Sequence, residues 1–403
     1  MRLSRLTRYL VYALFGIFII SRMWVAFHEY MELGYSPLST YASLALILLS
    51  LLVIGIQTAN LFRSKLNKRV FLFLLLSVLS AILLCNPTMD MMKQLMYVTL
   101  WEAVFFIFFF LSYNHEGAII EMRWMIIILL VPITFLFIRS NSLRVLMNYG
   151  ITRQGNNAVF YIMLLFPWLL LSSKRWLRLA ALLFIVAVSV LSLKRSAMFI
   201  AAGCVLVVFY FEFLKDSQHR LRSLLFGLAA FIAGYCLIDY INSSNQGAAI
   251  ERIAHIEEDR GSGRPDRFKE VFSLINSERD PGKVVFGHGY RSVELQLGES
   301  HTAHNDFLEV AYDYGLLGLI VYLAFYFALF TRLILLWRDK SQYTESYAVS
   351  CCIFFVMSMV SHLIIYPTYY IFLTAYWGAM EGIILKGTYP VGCPETNTKT
   401  YEC

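Results

Sequence analysis

The chain has 403 residues, of which 59% are hydrophobic and 15% charged, and its formal net charge is +7. Soluble globular domains contain about 25% charged residues, so this composition excludes an ordinary soluble protein and indicates one surrounded mostly by lipid. The positive charge is not arranged as a basic stripe with interleaved aromatic residues, which argues against nucleic-acid binding. The seven cysteines are scattered, with no metal-ligand spacing, so neither a disulfide framework nor a metal site is expected.

Twelve apolar runs predict the architecture. They lie near residues 9–27, 40–62, 70–85, 95–112, 124–138, 157–173, 179–193, 196–214, 223–241, 315–336, 346–365 and 368–385. A transmembrane helix needs about 20 apolar residues, and in lipid a helix satisfies its backbone hydrogen bonds within one segment. The sequence therefore predicts an all-α integral membrane protein with about twelve transmembrane helices. No small-residue cleavage site follows the first run, which is expected to be a retained span rather than a signal peptide.

The distribution of lysine and arginine predicts the orientation. With the N-terminus inside, the predicted cytoplasmic segments hold eighteen Lys and Arg residues, and the short segments on the other side, counted with Arg22, hold seven. By the positive-inside rule both termini are then cytoplasmic. The predicted units are a nine-span bundle (1–241), a long extracytoplasmic loop (242–305), a three-span bundle (306–386) and a disordered cytoplasmic tail (387–403).

Lys194 and Arg195 lie between two apolar runs with almost no loop to hold them. Cations so close to apolar spans are costly unless they reach water or a partner, and they are functional candidates by default. Two interpretations remain open from the sequence. One is a tight helical hairpin with snorkelling side chains, and the other is an anion site at the membrane surface.

The long loop is predicted to carry an amphipathic helix that starts at Pro265, because proline fits the first turn of a helix. Four apolar residues follow at helical spacing: Phe268, Val271, Phe272 and Ile275. Such a helix would lie on the outer membrane surface or cap the bundle. Arg264 and Arg267, at its N-terminal end, are placed to meet a phosphate.

The stretch HTAHNDFLEVAYDYGLLG (301–318) places His304 where the polar loop becomes a helix. We expect His304 to share a helical face with Leu308 and Ala311, pointing into the bundle. A histidine can accept a proton from a hydroxyl nucleophile, and arginines can hold a pyrophosphate through bidentate hydrogen bonds. A structural histidine is the alternative. Paired carboxylates for glycoside hydrolysis also stay open, since no spacing singles out a pair.

Three patches resemble the O-antigen ligase and O-antigen polymerase superfamily of bacterial polysaccharide assembly. The first is the basic pair in Leu193-Lys194-Arg195-Ser196-Ala197 before an apolar run. The second is Ser262-Gly263-Arg264, which leads into the loop helix. The third is His304-Asn305 followed by Gly315 and Gly318. Their order and their shared position on one face make the resemblance more specific than any single patch.

The resemblance implies a GT-C-type glycosyltransferase of the bacterial cytoplasmic (inner) membrane that uses neither a metal nor another cofactor. The implied donor is a glycan linked to undecaprenyl pyrophosphate. His304 would be the base that activates the acceptor hydroxyl, and Arg195 and Arg264 would bind the donor pyrophosphate. Lys194 and, by proximity, Arg291 are further candidates for binding the pyrophosphate. His301, Asn305 and Arg267 are possible site residues.

The acceptor separates the activities that the family contains. A polymerase joins one lipid-linked glycan to another and works beside a chain-length regulator, whereas a ligase transfers the finished glycan to lipid A-core. SGR, GxG and HND together favour the polymerase. A transporter or flippase for lipid-linked sugars is the alternative class, and a non-catalytic scaffold is a third. The candidate residues gather at one face rather than at mid-bilayer, which favours an enzyme over a carrier.

Overall fold

The computed structural model describes residues 5–28, 37–84, 89–115, 117–146, 155–214, 264–298, 302–361, 363–364 and 366–387. Regular secondary structure within these ranges is entirely helical. Several sequence-based predictions fall outside them: the span near 223–241, the first part of the long loop with Ser262 and Gly263, His301, and the tail after residue 387.

The helices fall into three groups along the chain. The first group is α1 (Arg5–His28), α2 (Pro37–Leu61), α3 (Lys65–Leu84), α4 (Met89–Asn114), α5 (Ala118–Leu146), α6 (Val159–Leu169), α7 (Arg175–Leu191) and α8 (Arg195–Leu214). Four short helices follow in the loop region: α9 (Arg264–Ser277), α10 (Pro281–Phe286), α11 (Ser292–Leu297) and α12 (Asp306–Asp313). The last group is α13 (Gly315–Arg338), α14 (Thr344–Val360) and α15 (Pro367–Leu385).

Five of these helices are long and apolar enough to cross a membrane, namely α1, α2, α3, α5 and α13. Shorter apolar helices lie in α4, α6, α8 and α14. Large apolar side chains such as Leu48, Leu51 and Leu52 on α2 are exposed, as expected for a surface that faces lipid. The chain is thus an all-α, multi-pass membrane protein. The total of twelve spans stays a prediction.

The centre of the bundle is the close pairing of α4 with α15. A Cβ atom at Gly378 would overlap the carbonyl oxygen of Phe105, and one at Gly382 would overlap that of Phe109. Gly382 follows Gly378 by four residues, and its partner Phe109 follows Phe105 by four residues. The two helices therefore run parallel. Small residues allow this approach of two backbones, and dispersion contacts then hold the helices together in lipid.

Helices α8 and α14 run antiparallel, which fixes where the start of α8 lies. A Cβ atom at Gly203 would lie 2.8 Å from the Sγ atom of Cys352. A cavity of about 610 Å³ is lined by the C-terminal half of α8, the C-terminal half of α13 and residues from the N-terminal part of α14. Arg195 and Val360 are each eight residues from these contact points, about 12 Å along a helix. The start of α8 and the end of α14 therefore lie at one end of the bundle.

The loop region has a small hydrophobic core of its own. Val271, Val293, Ala303 and Tyr312 are buried together, and Ile275 packs against them. The predicted amphipathic helix is therefore present as α9, and its apolar face contacts α11, α12 and the 302–303 segment. We call the end of the bundle that carries α9 to α12 the loop face.

Gly378→Ala is expected to destabilise the protein because the added methyl group meets the backbone of α4. Overpacking of this kind costs about 1–3 kcal/mol, which exceeds the gain in helix propensity of about 1 kcal/mol. Thermal unfolding in detergent should show a lower midpoint for this variant. Gly55→Ala on α2 is the matched control, since its Cβ would meet no atom within 4 Å. Equal midpoints for the two variants would contradict the α4–α15 packing.

Candidate active site

The candidate base His304 sits in a bend just before α12. Asn305 is the N-cap of that helix, and its side-chain oxygen accepts hydrogen bonds from the amides of Phe307 at 3.0 Å and Leu308 at 3.1 Å. His304 itself has φ 51°, in the left-handed region that few residues other than glycine, asparagine and aspartate adopt. Its side chain is half-buried.

The predicted helical face of His304, Leu308 and Ala311 is wrong. The helix begins at Asp306, two residues after His304, so the imidazole is not on a helical face at all. The physical reason is that asparagine is among the best N-caps, because its side chain satisfies the free amides of the first turn. Capping at Asn305 leaves His304 in the chain that leads into the helix.

Three buried carboxylates organise the site around α12. Asp306, Glu309 and Asp313 are spaced at i, i+3 and i+7 and are at most 1% exposed. Spacing of this kind places the three side chains on one face of the helix. We call them the α12 carboxylates. Each one accepts hydrogen bonds from the backbone of a different segment.

Asp306 holds the segment between α14 and α15. Its Oδ1 atom accepts from the amides of Leu363 at 2.8 Å and Ile364 at 3.3 Å, and its Oδ2 atom accepts from the hydroxyl of Tyr322 at 3.1 Å. The Tyr322 hydroxyl also lies 3.4 Å from the Ser358 hydroxyl on α14. Asp306 therefore connects α12 to α13 and to the segment that follows α14.

Glu309 and Asp313 hold the two segments that flank the candidate site residues. Glu309 accepts through Oε1 from the amide of Ala303 at 2.7 Å, directly before His304. Asp313 accepts from the amides of Arg291 at 2.7 Å and Val293 at 3.1 Å. The backbone positions of His304 and Arg291 are thus set by carboxylates on the same helix.

Burial dominates the acid–base behaviour of these groups. It raises the pKa of Asp306 from 3.8 to about 6 and that of Asp313 from 3.8 to about 7, although amide donors from Leu363 and Val293 oppose the rise. Burial, reinforced by the nearby charge of Asp313, raises the pKa of Glu309 well above its usual value. Removing a carboxylate from water disfavours its charged form, which is why all three shifts have the same sign.

The FGHGY segment docks on the junction of α12 and α13 through two glycines. Gly287 and Gly315 have φ 81° and 66°, and a Cβ atom at either would overlap the backbone of the other segment. The His288 ring stacks on Tyr312 with centroids 4.1 Å apart, and its Nε2 atom lies 2.8 Å from Glu278. His288 is therefore a structural histidine that joins the end of α9 to the end of α12.

The structure pairs Arg291, a candidate for pyrophosphate binding, with Glu294 one turn later. Burial lowers the pKa of its guanidinium, but Tyr290, Glu294 and Tyr366 outweigh that effect, so the pKa is raised overall. The influence of Tyr366 indicates that Arg291 lies near the start of α15. A pyrophosphate held by Arg291 would have to share it with Glu294.

Lys194 and Arg195 lie in a tight connection between α7 and α8, as the sequence predicted. The turn is closed by Ser192, whose hydroxyl accepts from the Lys194 amide at 3.1 Å, and Leu193 has φ 51°. Arg195 is the first residue of α8. Both cations are half-buried.

Arg195, at the start of α8, and His304, just before α12, lie at the level of the end of α14. The antiparallel pairing of α8 and α14 brings Arg195 to the level of Val360. On the other side, the Asn305 side chain donates to the carbonyl oxygen of Met359 at 3.4 Å, which keeps His304 beside the same helix end. Arg195 and Asn305 therefore lie at the same level of the bundle, at the C-terminal end of α14.

Arg264 and Arg267 extend from the end of α9 that is nearer His304. The residue after α9, Glu278, is bound to His288 at the far end of α12, whereas Val271 packs in the cluster that contains Ala303. Since Arg267 lies one turn before Val271 and Arg264 two turns before, the direction of α9 carries both arginines away from His288. The N-terminal end of α9, which carries Arg264 and Arg267, thus lies on the side of the loop face that is nearer His304.

Sequence reasoning missed the α12 carboxylates. It left paired carboxylates for glycoside hydrolysis open and singled out no pair. One signal was available: acids at positions 306, 309 and 313 recur with helical spacing in DFLEVAYD. No sequence signal identified their partners, because Asp306 and Leu363 are far apart in the chain.

Comparison with known families agrees with the resemblance read from the sequence. Residues 179–323 match the family model described as O-antigen ligase. The match covers about a third of the chain and includes the start of α8, the four loop helices and the beginning of α13. No curated protein sequence matches the chain. The predicted resemblance to the O-antigen ligase and polymerase superfamily is confirmed over this stretch.

Asp313→Ala is expected to loosen the turn that carries Arg291, because two amides lose their acceptor. An unsatisfied buried donor costs about 1–3 kcal/mol. Asp313→Asn should have a smaller effect, since the amide oxygen can still accept one of the two bonds. Hydrogen exchange of residues 287–298 measures the loss of protection, which should be larger in Asp313→Ala than in Asp313→Asn. Asp339→Asn, at the exposed end of α13, is the control, and an equal effect there would contradict the role of Asp313.

The α12 region should be more stable at pH 5 than at pH 8. The pKa values of Asp306 and Asp313 are higher in the folded protein than in the unfolded chain, so folding takes up protons. That contribution is fully present below the unfolded pKa near 3.8 and is lost as pH rises through about 6 to 7. Exchange protection of residues 302–313, corrected for intrinsic rates, should fall over this range and fall less in Asp306→Asn/Asp313→Asn. Protection that rises with pH would contradict the assignment.

Proposed function

We propose that this protein is a membrane glycosyltransferase that moves an undecaprenyl-pyrophosphate-linked glycan onto an acceptor hydroxyl, and that it acts as an O-antigen or surface-polysaccharide polymerase. The observation that carries the proposal is the placement of Arg195 and of the His304–Asn305 segment at the same end of α14. Both residues lie within the stretch that matches the O-antigen ligase family model. The family match supports the class of reaction, and the geometry supports the assignment of roles.

The proposed step is a substitution at the anomeric carbon of the donor sugar. His304 accepts the proton of the acceptor hydroxyl as its oxygen bonds to that carbon. The bond from the anomeric carbon to the pyrophosphate oxygen breaks, and its electron pair leaves with the lipid pyrophosphate. Arg195 and Arg264 neutralise the charge that develops there, with Lys194 and Arg267 as neighbouring cations.

The α12 carboxylates support this route over glycoside hydrolysis by paired acids. Both oxygens of Asp306 and both oxygens of Asp313 accept hydrogen bonds from the protein. Glu309 is bound to the Ala303 amide. A hydrolytic pair needs one carboxyl aimed at the leaving oxygen and another aimed at the anomeric centre. With both oxygens committed, Asp306 and Asp313 position neighbouring segments, and Glu309 holds the backbone directly before His304 through Oε1.

The orientation follows from the proposed donor and from the charge distribution. We place the loop face on the extracytoplasmic side of the bacterial inner membrane and both termini in the cytoplasm, as the positive-inside rule predicts. The pyrophosphate would then meet Arg195 and Arg264 at the membrane surface. A polymerase of this kind would work with a polysaccharide chain-length regulator.

An O-antigen ligase is the second candidate, because the matching family model carries that description. A transporter receives less support. The cavity between α8, α13 and α14 is lined mainly by apolar side chains such as Leu206 and Leu333, whereas a sugar carrier needs polar groups near mid-bilayer.

His304→Asn is expected to abolish transfer while leaving the fold intact. Asparagine tolerates the left-handed backbone at this position but cannot act as the base. Loss of a general base lowers the rate by about 10²- to 10⁴-fold. Transfer is measured with the purified protein in liposomes, using the lipid-linked glycan of the host as donor and acceptor. Arg264→Ala should lose about 10²- to 10³-fold through poorer charge stabilisation.

Arg338→Ala, an exposed arginine at the far end of α13, is the matched control and should transfer at the parental rate. If His304→Asn and Arg264→Ala are both inserted in the membrane and active, the proposal is wrong.

Surface glycan from a deletion strain distinguishes the polymerase from the ligase. Core with a single repeat and no ladder indicates a polymerase, and bare core with accumulated lipid-linked glycan indicates a ligase.

A further inference from the structure

Helix α10 exposes three consecutive apolar residues. Val284, Val285 and Phe286 are 43%, 39% and 56% exposed. They lie in a loop region that has its own hydrophobic core nearby, yet none of them belongs to it. An exposed run of large apolar side chains marks a surface that contacts something other than water.

The end of α10 contacts the start of α13, and the turn that follows α10 contacts the end of α3. A Cβ atom at Gly315, the first residue of α13, would lie 2.5 Å from the carbonyl oxygen of Val285. One at Gly289 would lie 3.4 Å from the Cβ atom of Leu84, the last residue of α3. These contacts fix α10 at the height where α3 and α13 leave the apolar part of the bundle.

The surface of those two helices at this height is apolar and exposed as well. Leu83 on α3 is 75% exposed and Leu316 on α13 is 53% exposed. Both helices are among the five that are long and apolar enough to span a membrane. The exposed side chains of α10 therefore extend a surface that already faces lipid.

The polar residues of α10 lie at its other end. Asp280 caps the helix, and its Oδ1 atom accepts from the Gly282 amide at 2.9 Å. Lys283, which is exposed, comes directly before the apolar run. A short helix with a polar start, one lysine and an apolar end suits the boundary between lipid headgroups and acyl chains.

We propose that α10 is a membrane anchor of the loop face, with Val284, Val285 and Phe286 inserted among the acyl chains of the adjacent leaflet. Burying such side chains in lipid is favourable because it removes apolar surface from water. The anchor fixes how far the FGHGY segment lies from the membrane surface. It also fixes the position of α12, because the FGHGY segment is docked on the junction of α12 and α13 through Gly287 and Gly315. This inference concerns lipid contact alone and does not depend on the transferase activity.

The test is the depth of a spin label attached to Phe286→Cys in a cysteine-replaced protein reconstituted in phosphatidylglycerol–phosphatidylethanolamine liposomes. Collision with dissolved oxygen and with a water-soluble nickel chelate reports depth. Leu52→Cys on α2 is the lipid reference and Glu270→Cys on α9 is the aqueous reference. The label at position 286 should show as few collisions with the nickel chelate as the label on Leu52→Cys. The collision rate of a label on Val284→Cys should lie between those of Leu52→Cys and Glu270→Cys.

Nickel collisions at position 286 equal to those at Glu270→Cys would overturn the proposal. Dipolar broadening between labels, lost on dilution with unlabelled protein, would assign the patch to a second copy and would overturn it too. Phe286→Trp, measured against the parent with brominated lipids, repeats the test without replacing any cysteine. Quenching of the added fluorescence is expected.

Discussion

The burial of three carboxylates on one short helix is the constraint on which the loop face depends. Asp306, Glu309 and Asp313 lose water on folding, and the amides and the hydroxyl that donate to them compensate part of that loss. Because those donors belong to four separate segments, the helix cannot be buried unless all four segments are in place. A polar network of this kind specifies one arrangement of the loop face more strictly than apolar packing would.

The same network explains how a membrane protein can present a defined site outside its spans. The bundle supplies fixed helix ends near Met359 and at Gly315, and the α12 region joins the loop region to them through a hydrogen bond and two glycine contacts. His304 lies between the Glu309-bound Ala303 and the capping residue Asn305. The proposed base is thus held by its backbone on both sides and would need little reorganisation before it meets a substrate.

The sequence was sufficient for those features that depend on local pattern. Hydrophobic runs predicted the membrane class, and the spacing after Pro265 predicted α9. The short connection at Lys194 and Arg195 was also visible. What it could not supply depends on contacts between distant segments: the pairing of Asp306 with Leu363, and that of His288 with Glu278. His304 was assigned to a helix because helical spacing was weighed without the capping preference of Asn305.

The most direct test of the proposed transferase is a structure of the protein in a lipid nanodisc with undecaprenyl pyrophosphate bound. We expect the pyrophosphate to lie at the end of α14, in contact with Arg195 and Arg264 and open to a hydroxyl beside His304. A pyrophosphate bound at the opposite end of the bundle, or away from His304, would contradict it.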